Sequence, residues 1–258
     1  MPTPFVFVHG LFGPFDEPAA FDQIPADCSA PDLPGYGRHV GDKVTLAGQV
    51  ASLRVHLEHR HPGEPVNLVA HSIGAVYAFA LADAAPALIR SVTTVEGNFS
   101  LADAFWSRSI AALDAGGART TIERRLADPA ALLAGDGIPA TRDLLARAER
   151  ALAFQPWLTV WESAIAVVDA TASERYPAMV QRVFARTPVY LVAGERTSRG
   201  WDVPGWARRA ASGSSVQPGV GHMMMLEQPE EFGQVLARLH GTGVDARSAS
   251  GADLPGGG

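Results

Sequence analysis

The sequence is poor in the features that mark disulfide-stabilised, membrane-spanning or exported proteins. Only one of its 258 residues is cysteine, Cys28, so no intrachain disulfide can form. No apolar run approaches the roughly 20 residues that a bilayer-spanning helix needs. The first residues carry no basic region of the kind that opens a signal peptide. We therefore expect a soluble, cytoplasmic protein with no membrane span.

Long basic runs are also absent. The chain has 27 acidic residues against 21 lysines and arginines, a formal net charge of −6. Nucleic acids and anionic membranes attract clustered cations, so neither is an expected partner. The composition, 47% apolar and 19% charged, is that of a globular protein long enough for one α/β domain with an insertion. Nothing in it indicates a metal or an organic cofactor, and it carries no signal for an oligomeric state.

Short β-rich runs alternate with helical stretches along the chain. The strand-like runs are Phe5–Val8, Val66–Val69, Ser91–Val95 and Val189–Val192, with a shorter one at Ser214–Gln217, and the clearest helical stretches between them are Leu46–Glu58 and Ile73–Ala82. The four main runs do not alternate between polar and apolar residues, which is typical of parallel strands buried on both faces. The pattern predicts an α/β fold with a doubly wound, mostly parallel sheet.

One segment, residues 99–186, breaks this alternation because it contains helical patterns and no β-rich run. In Trp157–Val168 two tryptophans recur with aliphatic residues on one helical face, either to pack against other helices or to line an apolar pocket. We interpret the segment as a helical cap. The predicted parts are a core of residues 1–98 and 187–240, the cap of 99–186, and a flexible tail of 241–258 rich in Gly, Ser, Ala and Asp.

The strongest chemical signal is the run LVAHSIG at residues 68–74, which joins a predicted strand to an apolar helix. A serine on such a tight turn is presented away from the backbone. Small residues at 70 and 74 let the strand and the helix pass closely. The usual signature is G-x-S-x-G, and Ala70 replaces its first glycine. Ser72 is therefore predicted to be a nucleophile. The alternative role, a helix N-cap, does not explain the flanking small residues.

Through this motif and three others, the chain resembles the α/β-hydrolase superfamily from residue 5 to about 240. His9-Gly10 matches the family's oxyanion loop, residues 32–37 (DLPGYG) match the turn after its next strand, and Gly221-His222 matches its catalytic histidine loop. The family usually begins with two additional strands, which this sequence lacks, because it opens at the oxyanion strand. The resemblance therefore implies about six strands rather than eight.

The resemblance also implies an oxyanion hole formed by the backbone N–H groups of Leu11 and Ile73. The position of Ile73 is independently suitable, because it follows the serine at a helix N-terminus where N–H groups lack intrahelical partners. Donors aimed at a developing negative charge each contribute about 3–4 kcal/mol to transition-state stabilisation.

His222 is the best candidate for the general base among the eight histidines. It lies between the run Ser214–Gln217 and a helix that begins near Pro229, in a loop of the kind where catalytic groups collect in open α/β sheets. His9 and His71 flank the site but match structural positions of the family.

The acid that would orient His222 is left open by the sequence. In the commonest family arrangement it would stand at Thr197, which is not an acid. Glu96, Asp202 and Glu195 are the candidates. We favour Glu96, with Asp202 as the alternative, because a carboxylate at the end of a buried strand needs a partner that becomes cationic. Some members of the family, including haloalkane dehalogenases, place their acid after this strand.

These residues predict a serine hydrolase that cleaves a carboxylic ester, lactone or thioester of a small apolar acyl-bearing substrate through an acyl-enzyme. The alternatives are a C–C bond hydrolase, a cofactor-free dioxygenase, or a non-catalytic ligand-binding protein with the same fold. Dehalogenase chemistry is disfavoured, because it needs an aspartate where this chain has Ser72.

Overall fold

The computed structural model describes residues 2–241, and six parallel strands form one sheet within them. In chain order the strands are β1 (Phe5–Val8), β2 (Cys28–Ser29), β3 (Val66–His71), β4 (Ile89–Val95), β5 (Val189–Gly194) and β6 (Gly213–Gln217). Their order across the sheet is β2-β1-β3-β4-β5-β6, and every neighbouring pair is parallel. The predicted α/β fold and its number of strands are confirmed. The predicted tail, apart from Gly241, lies outside the described residues.

The helices of the described chain are α1 (Pro18–Phe21), α2 (Leu46–Arg60), α3 (Gly74–Ala84), α4 (Phe105–Ala111), α5 (Ala115–Leu126), α6 (Pro129–Gly135), α7 (Arg142–Ala153), α8 (Trp157–Ala172), α9 (Arg175–Arg186), α10 (Gly205–Ala210), α11 (Met224–Glu227) and α12 (Pro229–Leu239). We call α4–α9, which all lie between β4 and β5, the helical insertion. Its role as a cap and the division into core and cap stay predictions.

Alternate side chains of the central strands enter two hydrophobic clusters on opposite faces of the sheet. From β1, Val6 and Val8 join the cluster that contains the side chains of α3, while Phe5 and Phe7 join the cluster that contains Phe232 of α12. All four β1 side chains are fully buried. Because both faces are covered by helices, the strand has no polar face, which explains the unbroken apolar runs in the sequence.

The helical insertion is attached to the core by hydrogen bonds from α8. The Thr159 hydroxyl donates to the carbonyl of Gly35 at 2.8 Å, and the hydroxyls of Ser163 and Tyr36 are 2.9 Å apart. Both core residues belong to the DLPGYG turn. No single helix in residues 2–241 has both the length and the hydropathy of a membrane span; α7 and α8 reach both only as a pair, across a 75° bend.

Candidate active site

Ser72 occupies a strained turn between β3 and α3. Its φ of 51° lies in the left-handed region, and only one other non-glycine residue among the described ones shares that property. Such a conformation costs a non-glycine residue on the order of 1–3 kcal/mol and often marks a functional position. Gly74 makes the turn possible, since a Cβ there would lie 2.5 Å from the backbone oxygen of His9. The turn therefore brings Ser72 close to the end of β1.

The second strained residue is Glu96, with a φ of 44°, directly after the neighbouring strand β4. Its carboxylate is almost fully buried and accepts three hydrogen bonds. The donors are Nδ1 of His222 at 2.8 Å, the backbone N–H of Gly194 at 2.9 Å and the hydroxyl of Thr197 at 2.5 Å. Both carboxylate oxygens are thus used, so Glu96 is held in one position facing the imidazole.

The pairing shifts the titration of both partners. Burial alone would raise the pKa of Glu96, but the hydrogen bond and charge of His222, together with the Thr197 and Gly194 donors, lower it below its ordinary value. Burial alone would lower the pKa of His222, but the hydrogen bond and charge of Glu96, with a smaller contribution from Asp136, raise it. Glu96 is therefore ionised at neutral pH, and His222 is the more basic of the two groups.

The hydrogen bond to Glu96 places a proton on Nδ1 of His222 and leaves its Nε2 free to accept another. About one third of the His222 side chain is exposed. Nε2 of His71 donates to the backbone oxygen of His222 at 3.1 Å, and the two ring centroids are 4.5 Å apart. Because His71 directly precedes Ser72, these contacts bring the serine turn and the histidine loop together. Within residues 2–241 no hydrogen bond joins the Ser72 hydroxyl to the imidazole of His222.

The loop after β1 passes directly beside the serine. A Cβ on Gly10 would lie 3.2 Å from Cβ of Ser72 and 2.8 Å from Nδ1 of His71, so only glycine fits there without displacing its neighbours. Within the described chain, the backbone N–H groups of Leu11 and Ile73 donate to no protein acceptor. Two unused donors therefore flank the serine, as an oxyanion hole requires.

The other two candidate acids lie away from the imidazole. Asp202 is exposed, and its backbone N–H donates to the Asp103 carboxylate at 3.0 Å. Glu195 is also exposed and accepts from the backbone N–H of Gly219 at 2.8 Å. Neither carboxylate is hydrogen-bonded to His222, which is bound instead to Glu96.

The remaining histidines near the serine are buried and neutral. Burial lowers the pKa of His9 to about 4, and burial together with the charge of His222 lowers that of His71 well below its ordinary value. Nδ1 of His9 donates to the carbonyl of Gly10 at 2.9 Å, which fixes the loop. Within residues 2–241, no group of three or more His, Cys, Asp or Glu side chains is placed to hold a metal ion.

A narrow cleft lies beside this loop, where the helical insertion meets the core. It is lined by His9, Phe12, His71, Met223 and other residues, whereas Ser72 and His222 do not line it. Arg150 of α7 also lines it and donates hydrogen bonds to Asp16 and Glu17. These contacts attach the insertion to the segment that follows the loop after β1. We assign the cleft to the packing of the insertion and not to the reacting centre.

Sequence reasoning missed the supporting residues of Glu96. Thr197 stands where the commonest family arrangement has its acid, and here it donates a hydrogen bond to the carboxylate that comes from β4. The only signal in the sequence was that position 197, where the family's acid is expected, is not an acid. Gly194 gave no signal, because its contribution is a backbone N–H that reaches Glu96 only through the pairing of β4 with β5.

Known proteins share the fold of this chain. A family model described as "Alpha/beta hydrolase family" matches residues 5–235. No curated protein matches the chain significantly. Similar solved structures include a thermophilic esterase from Thermogutta terrifontis (18% identity, 93% of this chain and 91% of that one, TM-score 0.69). They also include a haloalkane dehalogenase loop variant from Bradyrhizobium elkanii (16% identity, 93% and 88%, TM-score 0.66). The chain therefore belongs to the alpha/beta hydrolase family.

Proposed function

We propose that this protein is a serine hydrolase that cleaves carboxylic ester, lactone or thioester bonds. The observation that carries the proposal is the partly buried Glu96–His222 hydrogen bond, which lies beside a serine in a strained strand-to-helix turn. A serine nucleophile needs a base next to it, and that base needs an anion that orients it and balances its charge. The esterase among the similar structures is consistent with this chemistry.

In the first half of the proposed reaction, Ser72 Oγ attacks the acyl carbon while its proton moves to Nε2 of His222. The carbonyl oxygen becomes negative and accepts hydrogen bonds from the N–H groups of Leu11 and Ile73. Glu96 stabilises the imidazolium that forms and stays ionised itself. Nε2 then returns the proton to the leaving group as its bond to the acyl carbon breaks.

In the second half a water molecule attacks the acyl-enzyme and gives its proton to Nε2 of His222. The tetrahedral intermediate collapses, the carboxylic acid leaves, and Ser72 Oγ recovers the proton. We further propose that the helical insertion acts as a cap over the substrate.

The proposal is tested by hydrolysis of p-nitrophenyl butyrate and by covalent labelling with a fluorophosphonate. We expect steady release of p-nitrophenol and a mass gain of one probe molecule on the peptide that contains Ser72. The labelling should stop turnover, because it consumes the nucleophile. Release without labelling of that peptide, or oxygen consumption during turnover, would instead favour the hydrolase-like dioxygenase or a different nucleophile.

The pH dependence should follow the protonation of His222. The imidazolium cannot accept the serine proton, so kcat/KM should rise with pH and level off once the imidazole is neutral. Since Glu96 raises the pKa of His222, the midpoint should lie above the ordinary histidine value of about 6.5. Glu96 has a lowered pKa and adds no transition near neutrality. A profile that stays flat between about pH 5 and 8 would contradict His222 as the base.

A further inference from the structure

Arg125, in the last turn of α5, packs against two aromatic rings. Its guanidinium carbon lies 5.2 Å from the ring centroid of Phe12 and 5.2 Å from that of Trp106. The two rings are themselves in contact, with centroids 5.1 Å apart. Such cation–π contacts fix the plane of a guanidinium without using its N–H donors.

This cation forms no ion pair with any residue that the structure describes. Within residues 2–241 no carboxylate lies within ion-pair distance of Arg125, and its Nε is buried without a hydrogen-bond acceptor. By contrast Arg119, on the same helix, is paired with Glu123 at 2.9 Å. Arg125 is only partly exposed, and this burial lowers the pKa of its guanidinium against the opposing effect of the Asp136 charge. A partly buried cation whose Nε lacks an acceptor and which makes no ion pair within the described residues is an unusual feature for a folded chain to keep.

The surroundings of Arg125 connect it to the reacting centre. Phe12 directly follows Leu11, one of the two proposed oxyanion donors. The carboxylate of Asp136 interacts electrostatically with both Arg125 and His222 while forming an ion pair with neither. The guanidinium therefore lies on the side of the helical insertion that faces the loop next to the serine.

We propose that Arg125 binds a carboxylate group of the substrate, so that the preferred substrates are esters that carry a free carboxylate, such as half-esters of dicarboxylic acids. This inference rests on the proposed ester hydrolysis for its substrate class. A guanidinium presents paired N–H donors whose spacing matches a carboxylate, and a partly desolvated one binds such an anion more strongly than an exposed one. The aromatic rings keep the guanidinium oriented in the free protein, so little ordering is needed on binding.

The kinetic test compares p-nitrophenyl monoglutarate with p-nitrophenyl pentanoate, which has the same acyl length and no charge. For the wild type we expect the half-ester to have the higher kcat/KM. In R125Q its kcat/KM should fall by about 30-fold or more, while that of the neutral ester changes less than about twofold. R125K should retain part of the preference. The matched control is R124Q, which removes the same charge from an exposed neighbour on α5.

A binding test separates this inference from the proposed function. Glutarate, and glutaramide as its uncharged analogue, are titrated into wild type, R125Q and R124Q by calorimetry. Glutarate binding that is lost only in R125Q supports the anion site even if no ester is cleaved. Hydrolysis of both esters with equal rates in wild type and R125Q overturns the anion site and leaves the esterase proposal standing. The neutral-ester rate and Tm of R125Q show whether the variant is folded.

Discussion

Ser72→Ala should remove nearly all ester hydrolysis, with a fall in kcat of about 10⁴-fold or more. The alanine lacks the oxygen that forms the acyl-enzyme, and His222 and the oxyanion donors alone cannot replace that covalent step. The fold should be retained, because alanine can follow the same backbone path as Ser72. In the described chain the Ser72 hydroxyl makes no hydrogen bond to His222 that the substitution would remove. The measurement is p-nitrophenol release by both proteins at equal concentration, with Tm recorded for each.

Ser109→Ala is the control for this experiment. Ser109 is exposed on α4, where its hydroxyl donates to a backbone oxygen of the same helix, so its loss should leave kcat unchanged. Fluorophosphonate should label the Ser109 variant as it labels the wild type and should leave the Ser72 variant unlabelled. If Ser72→Ala and the wild type hydrolyse the ester equally fast, Ser72 is not the nucleophile and the proposed mechanism is wrong.

The sheet was predictable because its signals are local. Each central strand is buried on both faces, so it appears in the sequence as an unbroken apolar run between turn residues. Strand β2 gave no such signal, since it consists only of Cys28–Ser29 at the edge of the sheet. The helix bounds differ from the predicted ones by a few residues, as at α8, which continues to Ala172.

The candidate site was predictable to different degrees for its different parts. The run LVAHSIG contains in one turn the strand end, the serine and the close-approach residue Gly74. The acid could only be ranked, because its pairing with His222 spans 126 positions and depends on which strand ends lie side by side. Arg125 gave no signal at all, since its aromatic partners come from two segments that meet only in the folded chain.

Glu96→Gln should reduce kcat by about 10²–10⁴-fold while changing KM little. The glutamine keeps the shape of the side chain and its acceptor for Gly194 and Thr197 but not its charge. Where its amide NH₂ faces Nδ1, the imidazole must accept that hydrogen bond and carry its proton on Nε2, the nitrogen that should receive the proton of Ser72.

Two further measurements on Glu96→Gln distinguish loss of the acid from loss of structure. Without the carboxylate, the pKa of His222 is no longer raised, so the midpoint of the remaining activity should move to lower pH, whereas an enzyme that is merely less folded would keep the midpoint of the wild type. Asp202→Asn provides the matched control, since its exposed carboxylate makes no hydrogen bond to His222 and its removal should leave kcat near normal. Near-normal turnover by Glu96→Gln, together with a large loss in Asp202→Asn, would assign the acid to Asp202 and would require the loop at 200–204 to move toward the imidazole during the reaction.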